Sequence, residues 1–256
     1  MLNIVHYGPA EGRPLLIAHG LFGSARNWGV IAKRLSDTRR VLAVDMRNHG
    51  ASPWQDTHSY TDLARDLAEV ITAHGGVAEV VGHSMGGKAA MALALLEPQA
   101  VGRLVVADIA PVAYDHTQMP YLVAMRDMDL GNLDSRSAAD ARLAAQVEEA
   151  GIRAFLLQSL DLRSAPPRWR LNLSVLEREM DKILGWPEVE GRFDGPTLFL
   201  SGGASDYVLP AHRPTIKALF PASRFAKIPG AGHWLHAEKP QEFVASVEAF
   251  LGRTSE

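Results

Sequence analysis

The 256-residue chain contains no cysteine, so disulfide bonds, thiolate nucleophiles and cysteine-ligated metal sites are excluded. Its formal net charge is only −3, which gives no reason to expect nucleic acid or an anionic membrane as a partner. No apolar run is long enough to span a bilayer. Residues 1–6 lack the basic and then apolar pattern of a signal peptide, so we expect a cytoplasmic protein.

Motifs for bound metals and nucleotides are also missing. None of the ten histidines belongs to an H-E-x-x-H pair, and no glycine-rich stretch has the spacing of a phosphate-binding loop. We therefore expect neither a metal ion nor a cofactor. Apolar residues make up 47% of the chain and charged residues 21%, a balance that is typical of a folded globular protein.

Short apolar runs alternate with helical patterns along most of the chain. This alternation predicts an α/β fold, with a mostly parallel central sheet and helices on both faces. Strands are expected at residues 2–7, 15–18, 41–44, 79–81, 104–107, 197–200 and 224–228. A capping box at residues 59–62 and Pro240 each indicate the start of a helix.

The alternation stops in the middle of the chain. Four helices without an intervening strand are expected at residues 121–128, 138–149, 152–160 and 173–184. Their position predicts a helical lid insertion over residues 113–186. Residues 1–112 and 187–256 then form the α/β core.

The sequence Gly82-His83-Ser84-Met85-Gly86 matches G-x-S-x-G and lies between a buried strand and an apolar helix. A serine at such a corner projects towards substrate and lies at a helix N-terminus, where N–H groups favour negative charge. The flanking glycines allow the strand and helix backbones to pass close together. The motif therefore predicts a nucleophile elbow.

Several polar residues lie just beyond the ends of predicted strands. In a parallel sheet these ends share one edge, and ligands bind there. The alignment of strand ends thus predicts that one site gathers His19, Asp45, Ser84, Asp108, Asp206 and His233.

Five motifs, in this order, resemble the α/β-hydrolase family over essentially the whole chain. They are His19-Gly20-x-x-Gly23-Ser24, Asp45-x-Arg47-x-His49-Gly50-x-Ser52, the elbow, Gly203-x-x-Asp206 and Ala231-Gly232-His233. Gly86-Gly87-Lys88-Ala89 and Asp108-Ile109-Ala110-Pro111 narrow the resemblance to small bacterial carboxylesterases and related mitochondrial ABHD-type hydrolases. The resemblance implies the α/β-hydrolase fold and hydrolysis of carboxylic esters or thioesters.

A Ser-His-Asp triad is expected, with Ser84 as nucleophile and His233 as its base. His236 is a weaker candidate base because it lacks flanking glycines. Asp206 stands where the family in general places the acid, whereas Asp108 stands where the esterase subgroup places it. We prefer Asp206, because a carboxylate there has a regular route to the histidine Nδ1–H, and keep Asp108 as the alternative.

An oxyanion intermediate needs preorganised N–H donors. The backbone N–H of Met85 is expected to supply one, and that of Leu21, or failing that Phe22, the other. His19 and His83 are expected to brace loops around the site. The same structural role is expected for Asp45, Arg47 and His49.

Substrate is expected to contact Phe22, Trp234, Tyr114 and Trp186. Further candidates for the acyl pocket lie in the insertion, at Met119, Met125, Phe155, Leu156, Leu160 and Trp169. Arg163, Arg168 and Arg170 suit an anionic substrate such as a coenzyme A ester, but a solvated surface is the preferred interpretation.

The sequence therefore predicts a serine hydrolase that cleaves small-molecule esters with short- to medium-length acyl groups through an acyl-enzyme intermediate. Lactonases, C–C bond hydrolases and cofactor-free haloperoxidases share the same three residues and remain alternatives. A non-catalytic ligand-binding protein on the same scaffold is an alternative of a different class. The sequence does not indicate the oligomeric state.

Overall fold

The computed structural model describes residues 1–252. The strands are β1 (Asn3–Tyr7), β2 (Leu15–Ala18), β3 (Val41–Asp45), β4 (Ala78–His83), β5 (Val101–Ala107), β6 (Leu160–Asp161), β7 (Arg168–Trp169), β8 (Thr197–Gly202) and β9 (Ser223–Ile228). Seven of them form one sheet in the order β1-β3-β2-β4-β5-β8-β9, and β6 and β7 pair separately.

Only β1, at one edge of the large sheet, runs antiparallel to its neighbour. Strands β2 and β3 are buried along their whole length, as continuous apolar runs require when helices cover both faces of a sheet. The predicted mostly parallel sheet is confirmed.

Helices cover the sheet on both sides. One apolar layer contains Leu67 and Met91, and the opposite layer contains Ile31 and Phe243. The helices are α1 (Gly29–Leu35), α2 (Tyr60–Ala73), α3 (Met85–Leu96), α4 (Met119–Asp127), α5 (Arg136–Leu143), α6 (Ala150–Leu156), α7 (Leu173–Arg178), α8 (Met180–Leu184), α9 (Arg213–Leu219), α10 (Leu235–Glu238) and α11 (Pro240–Leu251). Within residues 1–252, none combines the length and apolarity needed to cross a bilayer.

The predicted helix starts are confirmed at two places. Ser59 caps α2, because its Oγ accepts a hydrogen bond from the Asp62 N–H at 3.2 Å and donates one to the Asp62 carboxylate at 2.7 Å. Helix α11 begins at Pro240, where the missing N–H of proline removes no helical hydrogen bond.

The segment between β5 and β8 differs from its prediction. It is not free of strands, because β6 and β7 form a short antiparallel hairpin where a helix was expected to reach residue 160. Asp161 favours the hairpin by accepting hydrogen bonds from the Arg163 N–H at 3.0 Å and from the Arg170 guanidinium at 2.7 Å. The expected helix 173–184 is also interrupted at Glu179.

This segment is attached to the loops at the carboxyl edge of the sheet. Asn27 donates a hydrogen bond to Gln158 at 2.6 Å, and the Ser159 hydroxyl donates one to the Phe22 carbonyl at 2.8 Å. The Tyr60 hydroxyl in turn donates to the Ile183 carbonyl at 2.5 Å. The segment therefore covers the edge at which the polar residues collect.

Candidate active site

Ser84 lies at the tight corner between β4 and α3, with φ of 52° and ψ of −120°. A positive φ is strained for a residue with a side chain and is retained where the surroundings impose it. A Cβ at position 82 would lie 2.3 Å from the Gly86 carbonyl oxygen, and one at position 86 would lie 2.4 Å from the Ala18 carbonyl oxygen. Both flanking positions must therefore be glycine.

Ser84, His233 and Asp108 form a continuous hydrogen-bonded series. His233 Nε2 lies 3.1 Å from Ser84 Oγ, and His233 Nδ1 lies 2.8 Å from Asp108 Oδ2. The Asp108 side chain is fully buried, whereas 19% of the His233 side chain is exposed. This arrangement can move a proton from the hydroxyl to the imidazole while the carboxylate fixes the ring.

The Asp108 carboxylate is held from two further directions. The Gly202 N–H donates to Oδ1 at 2.9 Å, and the Ser205 hydroxyl donates to Oδ2 at 2.5 Å. The residue itself has φ of 51°, a conformation that aspartate tolerates better than most residues. These contacts fix the carboxylate with one oxygen towards His233.

The preference for Asp206 is not supported by this geometry. Asp206 is exposed in the loop after β8, and the hydrogen bond at His233 Nδ1 goes to Asp108. Asp108 ends β5, which pairs directly with the elbow strand β4, whereas β8 is one strand further away. It is Ser205, next to Asp206 in sequence, that turns inward and contacts Asp108.

Of the expected oxyanion donors, Leu21 lies in the loop after β2 and Met85 begins α3 directly after Ser84. Within residues 1–252, neither the Leu21 N–H nor the Met85 N–H has a hydrogen-bond partner. The Phe22 N–H, in contrast, donates to His49 Nε2 at 3.2 Å. The structure therefore favours Leu21 over Phe22 as the second donor.

Three buried histidines support the backbone around Ser84. His49 Nδ1 lies 2.9 Å from the Arg47 carbonyl, so it carries the proton, and Nε2 accepts from Phe22. His19 is arranged likewise, with Nδ1 bonded to the Gly20 carbonyl and Nε2 accepting from the Met46 N–H. Burial lowers the pKa of both rings, so both are neutral near pH 7.

The third histidine, His58, reaches the elbow itself. Its Nδ1 contacts the Asn48 amide at 3.3 Å, and its Nε2 lies 3.2 Å from Met85 Sδ. Burial lowers the pKa of His58 to about 3. His58 was not predicted to be a site residue, because no motif marks it in the sequence.

The loop residues that were expected to be structural make structural contacts. Asp45 accepts hydrogen bonds from the Ala25 N–H at 2.7 Å and the Ala51 N–H at 2.8 Å. Arg47 forms an ion pair with Asp66, with Nε 2.6 Å from the carboxylate. These contacts fix the loops after β2 and β3.

The His83 ring packs against both His233 and His236. His83 Nε2 donates to the His233 carbonyl at 2.8 Å, and burial lowers its pKa well below the usual value. His236 stacks on Trp28, with ring centroids 4.3 Å apart, and burial lowers its pKa to about 3. A ring with so low a pKa holds a proton only weakly, so His236 is a poor candidate for the general base at neutral pH.

A cavity of about 230 Å³ opens beside Ser84. Of the residues expected to contact substrate, Phe22, Tyr114 and Trp234 line it, whereas Trp186 is not among its lining residues. Of the insertion residues expected to form an acyl pocket, Phe155 and Leu156 line the cavity, whereas Met119, Met125, Leu160 and Trp169 do not. The cavity therefore lies between the core loops and the insertion.

The cavity is also lined by Tyr60, Lys88 and Tyr207, which were not predicted to be site residues. Lys88 lies one turn after Ser84 on α3, and its Nζ donates to the Leu184 carbonyl at 2.8 Å and the Gly185 carbonyl at 2.5 Å. Burial lowers the pKa of Lys88 to about 7. A lone lysine in an otherwise apolar helix was the available signal.

Within residues 1–252, no cluster of three or more histidine and carboxylate side chains is arranged to hold a metal ion.

Comparison with known proteins defines the class. A family model described as the alpha/beta hydrolase fold matches residues 13–240. The chain therefore belongs to the α/β-hydrolase family, and the resemblance seen in the sequence is confirmed.

Individual relatives narrow the assignment. The sn-1-specific diacylglycerol lipase ABHD11 of Mus musculus is 43% identical, over 95% of this chain and 82% of that protein. Esterase YbfF of Escherichia coli (strain K12) is 38% identical, over 93% of this chain and 92% of that protein. The solved structure of a marine microorganism esterase is 36% identical, with a TM-score of 0.93, and covers 97% of this chain and 98% of that one. The chain is thus a hydrolase of the esterase type.

Proposed function

We propose that this esterase cleaves small-molecule carboxylic esters with short- to medium-length acyl groups through an acyl-enzyme on Ser84. His233 acts as general base and acid, and Asp108 orients its ring. The observation that carries the proposal is the pair of hydrogen bonds that His233 makes, to Ser84 Oγ and to Asp108 Oδ2.

Acylation begins when Ser84 Oγ attacks the ester carbonyl carbon and its proton passes to His233 Nε2. The carbonyl oxygen becomes an oxyanion in the tetrahedral intermediate. Collapse of this intermediate breaks the bond to the alcohol oxygen, which takes the proton from Nε2 as it leaves. The acyl group remains on Ser84 as an ester.

Deacylation repeats these steps with water as the nucleophile. His233 Nε2 takes a proton from water, the resulting hydroxide adds to the acyl carbon, and Ser84 Oγ leaves with the proton from Nε2. The carboxylic acid product is released. Asp108 remains a carboxylate throughout and holds Nδ1–H of the ring.

The N–H groups of Leu21 and Met85 are proposed to bind the oxyanion. Both are free of intramolecular partners in the described chain, which supports this role. Removing one such donor typically costs ~3–4 kcal/mol of transition-state stabilisation.

The proposed substrate range rests on the size and lining of the cavity. Its volume of about 230 Å³ is below the ~300–1,000 Å³ of pockets that hold drug-sized ligands. Residues 113–186 are proposed to act as the lid, because Phe155 and Leu156 of this segment form one wall. Small acyl groups fit such a cavity better than long chains.

Hydrolysis of p-nitrophenyl butyrate tests the proposal. We expect Ser84→Ala to lower kcat by at least ~10³-fold, as loss of a triad serine does elsewhere. Ser246→Ala, on α11 and away from the cavity, is the matched control and should retain wild-type activity. Equal activity of the wild type and Ser84→Ala would overturn the assignment of the nucleophile.

A series of p-nitrophenyl esters and matched thioesters with two to twelve acyl carbons tests the substrate range. We expect kcat/KM to peak at short to medium chains and to fall for longer ones. Mass spectrometry of the rapidly quenched enzyme should show the acyl group on the peptide that carries Ser84. A maximum at the longest chains would contradict the proposed range without affecting the proposed chemistry.

A further inference from the structure

The phenol ring of Tyr207 lies face to face with the imidazole of His233. The two ring centroids are 3.8 Å apart, and the ring planes differ by only 17°. Neutral aromatic rings prefer offset or edge-to-face contacts with centroids ~4.5–7 Å apart, because their negative faces repel each other. A stack this close and this parallel is therefore not the arrangement that two neutral rings favour.

The loop that carries Tyr207 is joined to the same carboxylate that holds His233. The Tyr207 N–H donates to Ser205 Oγ at 3.3 Å, and the Ser205 hydroxyl donates to Asp108 Oδ2 at 2.5 Å. The Tyr207 carbonyl accepts a hydrogen bond from the Tyr114 hydroxyl at 2.7 Å. Hydrogen bonds to both the N–H and the carbonyl of Tyr207 thus fix the residue whose phenol covers the imidazole.

Such a stack becomes favourable when one ring is a cation. The electron-rich face of a phenol attracts a positive charge placed over it within ~6 Å of the centroid. In the proposed reaction, His233 becomes an imidazolium each time Nε2 takes a proton. The phenol then lies directly over the new charge.

Among the described residues no other aromatic side chain stacks on His233 in this way, since the Trp234 ring lies 6.1 Å away, centroid to centroid, and is tilted by 58°. Asp108 contacts the Nδ1 side of the ring, in its plane, and Asp206 is exposed on the loop that carries Tyr207. The His83 ring lies 4.8 Å from the His233 ring, centroid to centroid, and His236 packs on His83. Burial lowers the pKa of both His83 and His236, so they stay neutral. Burial raises the pKa of Tyr207 to about 12, so its phenol is also uncharged near neutral pH.

We propose that Tyr207 is a positioning residue that stabilises the imidazolium form of His233 through the face of its ring. This inference rests on the proposed function of His233 as the base. It assigns the effect to the ring of Tyr207 and not to its hydroxyl.

Three variants of cavity residues test the inference in the hydrolysis of p-nitrophenyl butyrate between pH 5 and 9. Tyr207→Leu keeps His233 covered but removes the aromatic face, so the imidazolium loses stabilisation. We expect kcat/KM to fall about 3- to 10-fold and the acid limb of its pH profile to move to lower pH by about half a unit to one unit. Tyr207→Phe keeps the ring, so its acid limb should stay within roughly 0.2 pH units of that of the wild type.

Tyr121→Leu is the matched control, because Tyr121 lines the same cavity and has no ring contact with His233. Its acid limb should stay in place, whatever happens to the rate. If the acid limb of Tyr207→Leu also stays in place, Tyr207 merely fills space and the proposal fails. A Tyr207→Phe profile that matches Tyr207→Leu would assign the effect to the hydroxyl and would also overturn it.

A measurement without turnover separates this inference from the proposed function. Proteins labelled with ¹⁵N-histidine and carrying Ser84→Ala can be titrated by NMR with and without Tyr207→Leu, and His233→Asn assigns the signal. We expect the His233 titration midpoint to fall by at least about half a unit when the ring is removed. An unchanged midpoint in a folded protein would refute the inference, even if the enzyme is an active serine esterase.

Discussion

The Nδ1 atom of His233 lies 2.8 Å from Oδ2 of Asp108, a carboxylate that also accepts hydrogen bonds from a backbone N–H and a serine hydroxyl. Since the carboxylate is fully buried, the imidazole cannot rotate without breaking a charge-assisted hydrogen bond. This one contact fixes the tautomer with Nε2 free to receive the Ser84 proton.

Replacing this carboxylate should therefore be far more damaging than replacing the neighbouring candidate. We expect Asp108→Asn to lower kcat for p-nitrophenyl butyrate by ~10³–10⁴-fold, because an amide does not hold the imidazole in the required tautomer. Asp206→Asn, which changes an exposed side chain in the adjacent loop, should stay within about threefold of the wild type.

Steady-state kinetics on both variants decides between the two aspartates, and circular dichroism shows whether each is folded. If Asp206→Asn is the more damaging substitution, the acid must be reassigned to the loop after β8.

Both aspartates were identified from the sequence, but the preference went to Asp206, whereas His233 Nδ1 contacts Asp108. Each follows a buried strand, and strand order is not visible in the chain: β4 pairs with β5, whereas β8 comes after 89 intervening residues, 108–196. The inward turn of Ser205 depends on the same tertiary packing. Ser84 and His233 were predictable because local glycine patterns mark both.

The secondary structure of residues 113–186 was predicted only in part. Residues 152–160 have helical spacing, yet Leu160 enters a hairpin because its partner strand and the Asp161–Arg170 ion pair form across the turn. The role of Tyr207 was equally hidden, since its contact with His233 joins two loops from different strands. Such contacts between distant segments leave no periodic pattern in the sequence.

The conformation of the loop after β2, which carries Leu21 and Phe22, should depend on His49, a residue outside the substrate cavity. His49 Nε2 holds the Phe22 N–H, and Phe22 has φ of 63°, so this hydrogen bond supports a strained turn beside Leu21. We expect His49→Ala to lower kcat about 10- to 100-fold with little change in KM, because the proposed Leu21 donor is displaced from the oxyanion.

His6→Ala is the matched control, since His6 is exposed on β1. It should behave as the wild type in the same assay. If His49→Ala raised KM and left kcat intact, the loop would contribute to substrate binding and not to stabilisation of the oxyanion.

Buried neutral histidines should make the protein sensitive to acid. Burial lowers the pKa of His58 and His236 to about 3, whereas in the unfolded chain each has its ordinary value of 6.5. Between pH 6.5 and about 3 the unfolded state binds more protons, so the free energy of unfolding falls as pH falls. Each ring contributes up to about 1.4 kcal/mol per pH unit in this window.

Urea unfolding at pH 8, 7, 6 and 5 measures this loss. His236→Phe preserves the stack on Trp28 and removes one titrating group, whose Nδ1 lacks a hydrogen-bond partner among the described residues. Its loss of unfolding free energy between pH 7 and 5 should be smaller than that of the wild type by up to ~2 kcal/mol. Parallel curves for the two proteins would show that His236 does not resist protonation in the folded state.

Lys88 should give a pH dependence of the same sign, but in a more alkaline range. Burial lowers its pKa to about 7 from an ordinary value of 10.5, so between these values the unfolded state holds a proton that the folded state has released. The free energy of unfolding should therefore rise with pH, by up to about 1.4 kcal/mol per unit.

Lys88→Met lacks this contribution, so the wild type should gain stability relative to the variant from pH 7 to 9. Urea unfolding at half-unit intervals measures the difference. A difference that stays constant with pH would mean that Lys88 remains protonated, stabilised by the Leu184 and Gly185 carbonyls.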